Sequence, residues 1–384
     1  MRRSMIADQM PVSGIRKMFA LASKYENVIN LCIGEPDFET PQHIIDAGAY
    51  ALNHGYTKYV SNSGLPALRA AIAEKMTTEN NIICNENNVM VTNGAGQALM
   101  SAIHCALNPG ESVIIADPYY PNYLGYFALA GVEVIAVPTK EEEHFHLTAE
   151  AIEGAIKSST KAILINSPSN PTGAVLCLDE LKAIAELAQR HDLIVISDEP
   201  YESIVYGGRK NYSIASLPEM FERTITINSF SKTFAMTGWR VGYAVAEESF
   251  IHAMTVMQES LTSSVNAASQ YAACVALQSD KACVEAMRKT YEKRAELLEK
   301  GLNCIKGFSF MKPEGAFYAF VNIKETGMTS AEVSKKLIEE CQVITTPGSA
   351  FGTAGEGYIR ISFASSQETL EEAMRRIQSV FGMK

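Results

Sequence analysis

From about residue 65 to residue 245, short apolar runs alternate with stretches in which apolar residues recur three and four positions apart. The runs are Asn88–Thr92, Ser112–Ala116, Glu133–Val137, Lys161–Ile165, Asp192–Ser197, Thr224–Ile227 and Arg240–Val245, each too short for a stable helix. Helical spacing is found at Leu65–Met76, at Gln97–Leu107 and at about 149–157 and 179–190. Apolar strands alternating with amphipathic helices predict an α/β fold with a mostly parallel seven-stranded sheet flanked by helices. In such sheets a site lies beyond the carboxyl ends of the strands.

The pattern differs on either side of this region. Toward the N-terminus, Gly14–Phe19 reads as a helix start, Val28–Ile33 as a short strand and Gly34-Glu35-Pro36-Asp37-Phe38 as a turn-rich loop. Residues 264–303 are free of proline and read as two helices with a weak point at Gln278-Ser279-Asp280. Beyond them, strands are expected at Ala316–Val321 and Tyr358–Phe363. Helices start at the capping boxes Thr329-x-x-Glu332 and Ser365-x-x-Glu368. The expected division is a large domain over 45–280 and a smaller α/β domain built from 1–44 plus 281–384.

Composition narrows the function. The chain has 384 residues, 47% hydrophobic and 20% charged, as in an ordinary globular protein. Acidic residues outnumber basic ones, 43 to 33, which argues against a nucleic-acid partner. No apolar run approaches the ~20 residues of a membrane span, and no apolar stretch of a secretory signal follows Met1-Arg2-Arg3-Ser4. The eight cysteines form no C-x-x-C cluster and read as buried reduced thiols of a cytoplasmic protein. The histidines show no metal-ligand spacing; His144 and His146 read as solvated, and no metal is expected.

Polar motifs fall at the ends of the predicted strands. Ser229-Phe230-Ser231-Lys232 follows one apolar run and Arg240 precedes the next. A lysine leaving a strand end into a loop can form a Schiff base if its pKa is lowered, and an arginine can grip a phosphate. Asn93-Gly94-Ala95-Gly96-Gln97 opens a helix whose first amides suit an anion. Gly94-x-Gly96 with Asp117 also has the beginnings of a dinucleotide fingerprint, but Leu99 stands where its third glycine belongs. Asp117-Pro118-Tyr119-Tyr120-Pro121 offers an aromatic face, and Asn166–Gly173 a proline-rigidified turn. Asp198 ends a further strand, ahead of Glu199-Pro200-Tyr201. Arg360 interrupts an apolar alternation, sharing a face with Tyr358 and Ser362. Each motif alone also reads as a turn, a cap or a surface charge.

Together they resemble the class I/II pyridoxal-phosphate-dependent aminotransferases, the aspartate aminotransferase superfamily of fold type I. The string from Ser229 to Arg240 resembles that family's cofactor attachment site, Ser-x-Ser-Lys…Gly-x-Arg. The resemblance continues in family order from Gly34 to Arg360. It implies that Lys232 anchors pyridoxal 5'-phosphate and is the catalytic base and acid. Ala95, Gly96, Gln97, Ser229, Ser231 and Arg240 would hold the phosphate. Tyr120 would stack on the ring, Asp198 would pair with its nitrogen, and Asn170 and Tyr201 would bond its phenolic oxygen. Gly34, Asn170 and Arg360 would bind the substrate α-carboxylate. Glu199 has no role there. Tyr59 matches the tyrosine that reaches a neighbouring subunit's phosphate, which implies a homodimer with shared sites.

The implied reaction moves an amino group between an L-amino acid and a 2-oxo acid, with glutamate and 2-oxoglutarate as the recycling pair. A carbon–sulfur β-lyase of the same fold is the alternative. A non-enzymatic aminotransferase-like regulator would need a DNA-binding segment, for which no residues remain. Aspartate specialists in one bacterial branch carry a lysine where Gly96 stands, so the donor stays open among aspartate, aromatic amino acids, alanine and acylated diamino acids. Arg16 or Lys17 could supply a distal cation, but a solvated helix face is the expectation for both.

Overall fold

A computed structural model of the chain describes residues 2–10, 25 and 27–384. The predicted helix start at Gly14–Phe19, with Arg16 and Lys17, lies outside the described residues. The main sheet contains β2 (Val89–Thr92), β3 (Ser112–Asp117), β4 (Glu133–Pro138), β5 (Thr160–Asn166), β6 (Ile194–Asp198), β7 (Thr224–Ser229) and β8 (Gly242–Val245). β1 (Ile29–Asn30) lies outside it. The order across the sheet is β2-β8-β7-β6-β5-β3-β4, and β8 alone runs antiparallel to its neighbours.

Alternation along the strands distributes their side chains to two cores. Val113 and Ile115 of β3 and Leu164 of β5 pack with Leu99, Ile103 and Phe127 from helices Ala95–Ala106 and Asn122–Ala130. Ile114, Ile163 and Val195 face the other way, against Leu181, Ile184 and Leu187 of helix Leu178–Arg190. Both faces are covered, which is why these strands read as continuous apolar runs.

Four more strands lie toward the C-terminus. β9 (Tyr318–Asn322), β11 (Thr346–Pro347) and β12 (Tyr358–Ser362) form an antiparallel sheet with β12 in the middle, while β10 (Val343–Ile344) pairs in parallel with β1. Their core gathers Leu298, Phe308, Phe317, Ile359, Phe363 and Leu370. The weak point at 278–280 separates helices Ala267–Gln278 and Ala282–Leu302. The Thr329/Glu332 capping box forms, but the last helix is capped by Ser366, whose hydroxyl accepts from the Thr369 amide at 3.2 Å, and not by Ser365.

Local structure departs from expectation at several further points. Lys232 stands in a helical turn, Phe230–Thr233, and not in a loop: the Ser229 hydroxyl accepts from the Ser231 amide at 3.1 Å and starts the turn. Arg240 is not part of the strand; it takes a left-handed conformation (φ 56°) ahead of β8. Of the cysteines, Cys32, Cys274 and Cys341 are buried, whereas Cys177 and Cys304 are exposed. No helix among the described residues is long and apolar enough to cross a membrane.

His146 is the clearest departure. Its side chain is 12% exposed, with Nδ1 2.6 Å from Glu180 and Nε2 2.7 Å from Glu314. Only the imidazolium can donate to both carboxylates. Glu314 also takes Arg209 at 2.7 Å and the Val175 amide at 2.9 Å, and His144 stands 4.0 Å away. Burial lowers the His146 pKa, but the Glu314 and Glu180 bonds and charges outweigh it and raise the value above the ordinary one. A raised folded-state pKa gives stability that is complete below the unfolded value of about 6.5 and is lost as pH rises through the folded value. The melting temperature is therefore expected to fall as pH rises above about 6.5. The difference between wild type and His146→Gln should shrink over the same interval; a pH-independent difference in thermal melts would refute this.

Candidate active site

The carboxyl ends of β3, β5, β6 and β7 and the start of β8 surround a cavity of about 340 Å³. It is lined by twelve of the residues singled out above: Gly34, Ala95, Gly96, Tyr120, Asn170, Asp198, Tyr201, Ser229, Ser231, Lys232, Arg240 and Arg360. Gln97 and Tyr59 do not line it. The Gln97 side chain accepts from the Asn93 amide at 2.7 Å and donates to Thr262 at 2.8 Å, and Tyr59 is 90% exposed.

One wall is built for an anion. Helix Ala95–Ala106 starts at Gly94, whose φ of +74° suits glycine and whose missing Cβ would stand 2.7 Å from Nη2 of Arg240. The helix therefore presents free first-turn amides next to a guanidinium, with the Ser229 and Ser231 hydroxyls 2.8 Å apart close by. Arg240 is steadied by donating to the Thr237 carbonyl at 2.8 Å.

Deeper in, Asp198 accepts from the Tyr123 hydroxyl at 2.5 Å through Oδ2. Its Oδ1 is buried with no hydrogen-bond partner among the described residues. Burial pushes the carboxyl up to about 7, although the Tyr123 bond pulls it down. A buried carboxylate oxygen without a donor is costly, so this group fits a ligand that brings a positively charged N–H. Glu199 turns away, accepting from Ser197 at 2.7 Å and Ser213 at 2.5 Å.

Lys232 donates to the Gly34 carbonyl at 2.5 Å. Burial lowers its pKa to about 8; Glu35 opposes the shift, while Arg240 and Arg360 add to it. Near neutrality a fraction of the amine is therefore unprotonated and able to act as nucleophile or base.

Arg360 is 1% exposed. It donates from Nη1 to Asn170 Oδ1 at 3.0 Å and from Nη2 to the Cys32 carbonyl at 2.5 Å, and it lies over the rings of Tyr318 (4.5 Å) and Phe351 (4.8 Å). Its Nε has no hydrogen-bond partner among the described residues. No carboxylate is paired with it among the described residues.

Sequence reading missed Tyr123, Tyr126, Asn166 and Tyr318. Tyr126 and Tyr318 line the cavity directly, and the Tyr201 and Tyr318 hydroxyls are 2.8 Å apart. Asn166 also lines it, donates to the Asp198 carbonyl at 2.9 Å and accepts from the Asn170 amide at 2.9 Å. The one available signal for Tyr123 was its spacing from Tyr120, three residues along a helix start.

The profile of the family "Aminotransferase class I and II" matches residues 26–377. The aspartate aminotransferase of Pyrococcus abyssi is 48% identical over 98% of this chain and 97% of its own length. Aromatic-amino-acid aminotransferase 2 of Thermococcus litoralis is 46% identical, covering 97% and 96%. The structure of the Thermus thermophilus aspartate aminotransferase with maleate superposes with a TM-score of 0.94 at 36% identity, over 99% of this chain and all of that one.

Proposed function

Because the chain belongs to the class I and II aminotransferases, we propose that the cavity beyond β3, β5, β6 and β7 is its catalytic centre, with Lys232 as the base. The protein is a pyridoxal-phosphate-dependent transaminase that moves an amino group between an L-amino acid and a 2-oxo acid. When bound, the cofactor supplies an electron sink for the pair left by the departing α-proton.

The observation that carries the assignment of roles is the orphaned Oδ1 of Asp198, buried in the cavity wall. A ring N–H would satisfy it, and the charged carboxylate would keep that nitrogen protonated. The Ala95, Gly96 and Gln97 amides, the two serines and Arg240 suit the phosphate. Tyr120 would stack on the ring, and Tyr201 and the Asn170 amide group would bond its phenolic oxygen. Arg360 would take the substrate carboxylate with Gly34 and Asn170 beside it, and Lys232 Nζ would take the α-proton as base and give it up again as acid. In this reading residues 45–280 bind the cofactor, and 1–44 with 281–384 bring the carboxylate clamp.

For the donor, the geometry favours an uncharged, above all aromatic, side chain. Tyr120, Tyr126 and Tyr318 face the cavity, and its only lysine or arginine residues among those described are Lys232, Arg240 and Arg360. At Gly96 a Cβ would meet the Tyr126 hydroxyl at 2.8 Å, so a phenol already fills the space that a longer side chain would cross. A second reading, aspartate, is supported by the names of several relatives. In both readings 2-oxoglutarate and glutamate form the recycling pair.

A homodimer is part of the proposal, since the 90% exposure of Tyr59 suits a side chain that completes a partner's phosphate site. Cytoplasmic residence is supported by eight free cysteines. The test is a donor screen on the holoenzyme: loss of the cofactor's visible band with release of the matching 2-oxo acid identifies the donor. Phenylalanine or tyrosine should surpass aspartate in kcat/KM. Preference for aspartate would overturn the aromatic reading, and pyruvate release with the visible band retained would overturn transamination.

A further inference from the structure

Asp117 stands in the sequence at the head of Asp117-Pro118-Tyr119-Tyr120-Pro121 and in an incomplete dinucleotide fingerprint, and the catalytic reading leaves it without a role. It is 2% exposed at the last position of β3. Its Oδ2 accepts three hydrogen bonds from one distant loop: the Thr353 amide at 3.0 Å, the Thr353 hydroxyl at 2.8 Å and the Ala354 amide at 3.2 Å. A buried carboxylate thus caps the short turn Thr353–Gly355, which leads into β12 and Arg360. The fit leaves no slack. Gly352 has φ +122°, and a Cβ there would fall 2.0 Å from Asp117 Oδ1.

The contact continues to the site on both sides. The Tyr119 amide donates to the Phe351 carbonyl at 2.8 Å, and the Phe351 ring lies against the Arg360 guanidinium. Tyr120, which faces the cavity, is the next residue along. We propose that Asp117 is a positioning residue: it locks the Phe351–Ala354 loop to the end of β3 and so sets where Arg360 presents its guanidinium relative to Tyr120. The inference rests on the assignment of Arg360 to the substrate carboxylate. β3 is held by strands on both sides and by the Thr139 amide on the Asp117 carbonyl at 2.8 Å, so loss of the lock displaces the loop and not the strand.

The test uses the holoenzyme, saturated with pyridoxal phosphate, as Asp117→Ala, Asp117→Asn, Thr353→Val and Arg360→Lys variants. Asp117→Ala should raise KM for amino donor and oxo acid together by about tenfold, within the range found for residues that act through packed neighbours. Its kcat and its affinity for the cofactor, titrated by absorbance, should stay within about threefold of wild type. Thr353→Val should move KM in the same direction by less, and Asp117→Asn, whose amide oxygen can still accept, should remain near wild type. A merely structural role would lower the melting temperature without moving KM. Unchanged KM in folded Asp117→Ala, or in Thr353→Val if Asp117→Ala does not fold, overturns the proposal. Unchanged KM in Arg360→Lys overturns instead the assignment on which it rests.

Discussion

Lys232→Ala is expected to reduce turnover of the reconstituted enzyme by at least ~10⁴-fold, the upper part of what a positioned acid–base group contributes. The side chain combines three properties that no neighbour reproduces. It is buried, its pKa is drawn down to about 8, and its amine stands in the same cavity as Arg360 and Arg240. The nearby phenols cannot substitute. Burial raises Tyr120, and it holds Tyr201 well above the ordinary tyrosine value, so neither loses its proton near neutrality. The fold should survive, because among the described residues the side chain gives up one hydrogen bond, to the Gly34 carbonyl. Single-turnover kinetics would check the loss, and Lys232→Arg, which keeps a cation but cannot act as a base, should be as inactive. Turnover within tenfold of wild type in either variant would remove Lys232 from the chemistry.

The second large effect is at Arg360. Arg360→Lys keeps the charge but replaces a planar fork with a single ammonium, which cannot grip a carboxylate at two points while it also bonds Asn170 and the Cys32 carbonyl. Weakening a buried, hydrogen-bonded charge pair costs about 2–5 kcal/mol. That corresponds to a fall in kcat/KM of roughly 30-fold to several thousandfold, chiefly through KM for both substrates. Arg360→Ala would lose at least as much and would also orphan Asn170 Oδ1. Steady-state kinetics with donor and acceptor varied separately would show it, and a fall confined to kcat would contradict the assignment.

Much of this site was legible before any coordinates because its residues stand where strands end. Strand ends are marked locally, by apolar runs giving way to Asp117-Pro118, Asn166-Ser167-Pro168, Ser197-Asp198 and Ser229-Phe230-Ser231. The seven-stranded sheet follows from the same runs, because strands covered on both faces are predominantly apolar, even where buried Thr226 and Asn228 interrupt β7. Contacts that folding makes between distant residues outside any motif were not legible. Tyr318 reads as an ordinary strand aromatic, and only folding brings its hydroxyl to Tyr201. His146 reads as loop polarity because Glu314 is 168 residues away. Arg240 reads as the start of a strand because Val241–Val245 follows it, yet it is the left-handed end of the tight turn Thr237–Trp239.

The single reversed strand bears on how the site could be altered or moved. A parallel β8 would bring Val245 to the rim where β7 ends; running backwards, it brings its beginning there, with Gly242 beside Ser229. Residues 230–241 therefore leave and re-enter the sheet at the same end, and both the Lys232 amine and the Arg240 guanidinium ride on that excursion. They are covalently spaced and share one hairpin. An insertion between them would disturb the Lys232 amine and the Arg240 guanidinium together, whereas the same insertion after helix Glu248–Leu261 should spare both. For transplantation into another α/β scaffold, the β7–β8 hairpin is the smallest piece that carries the two charges in register.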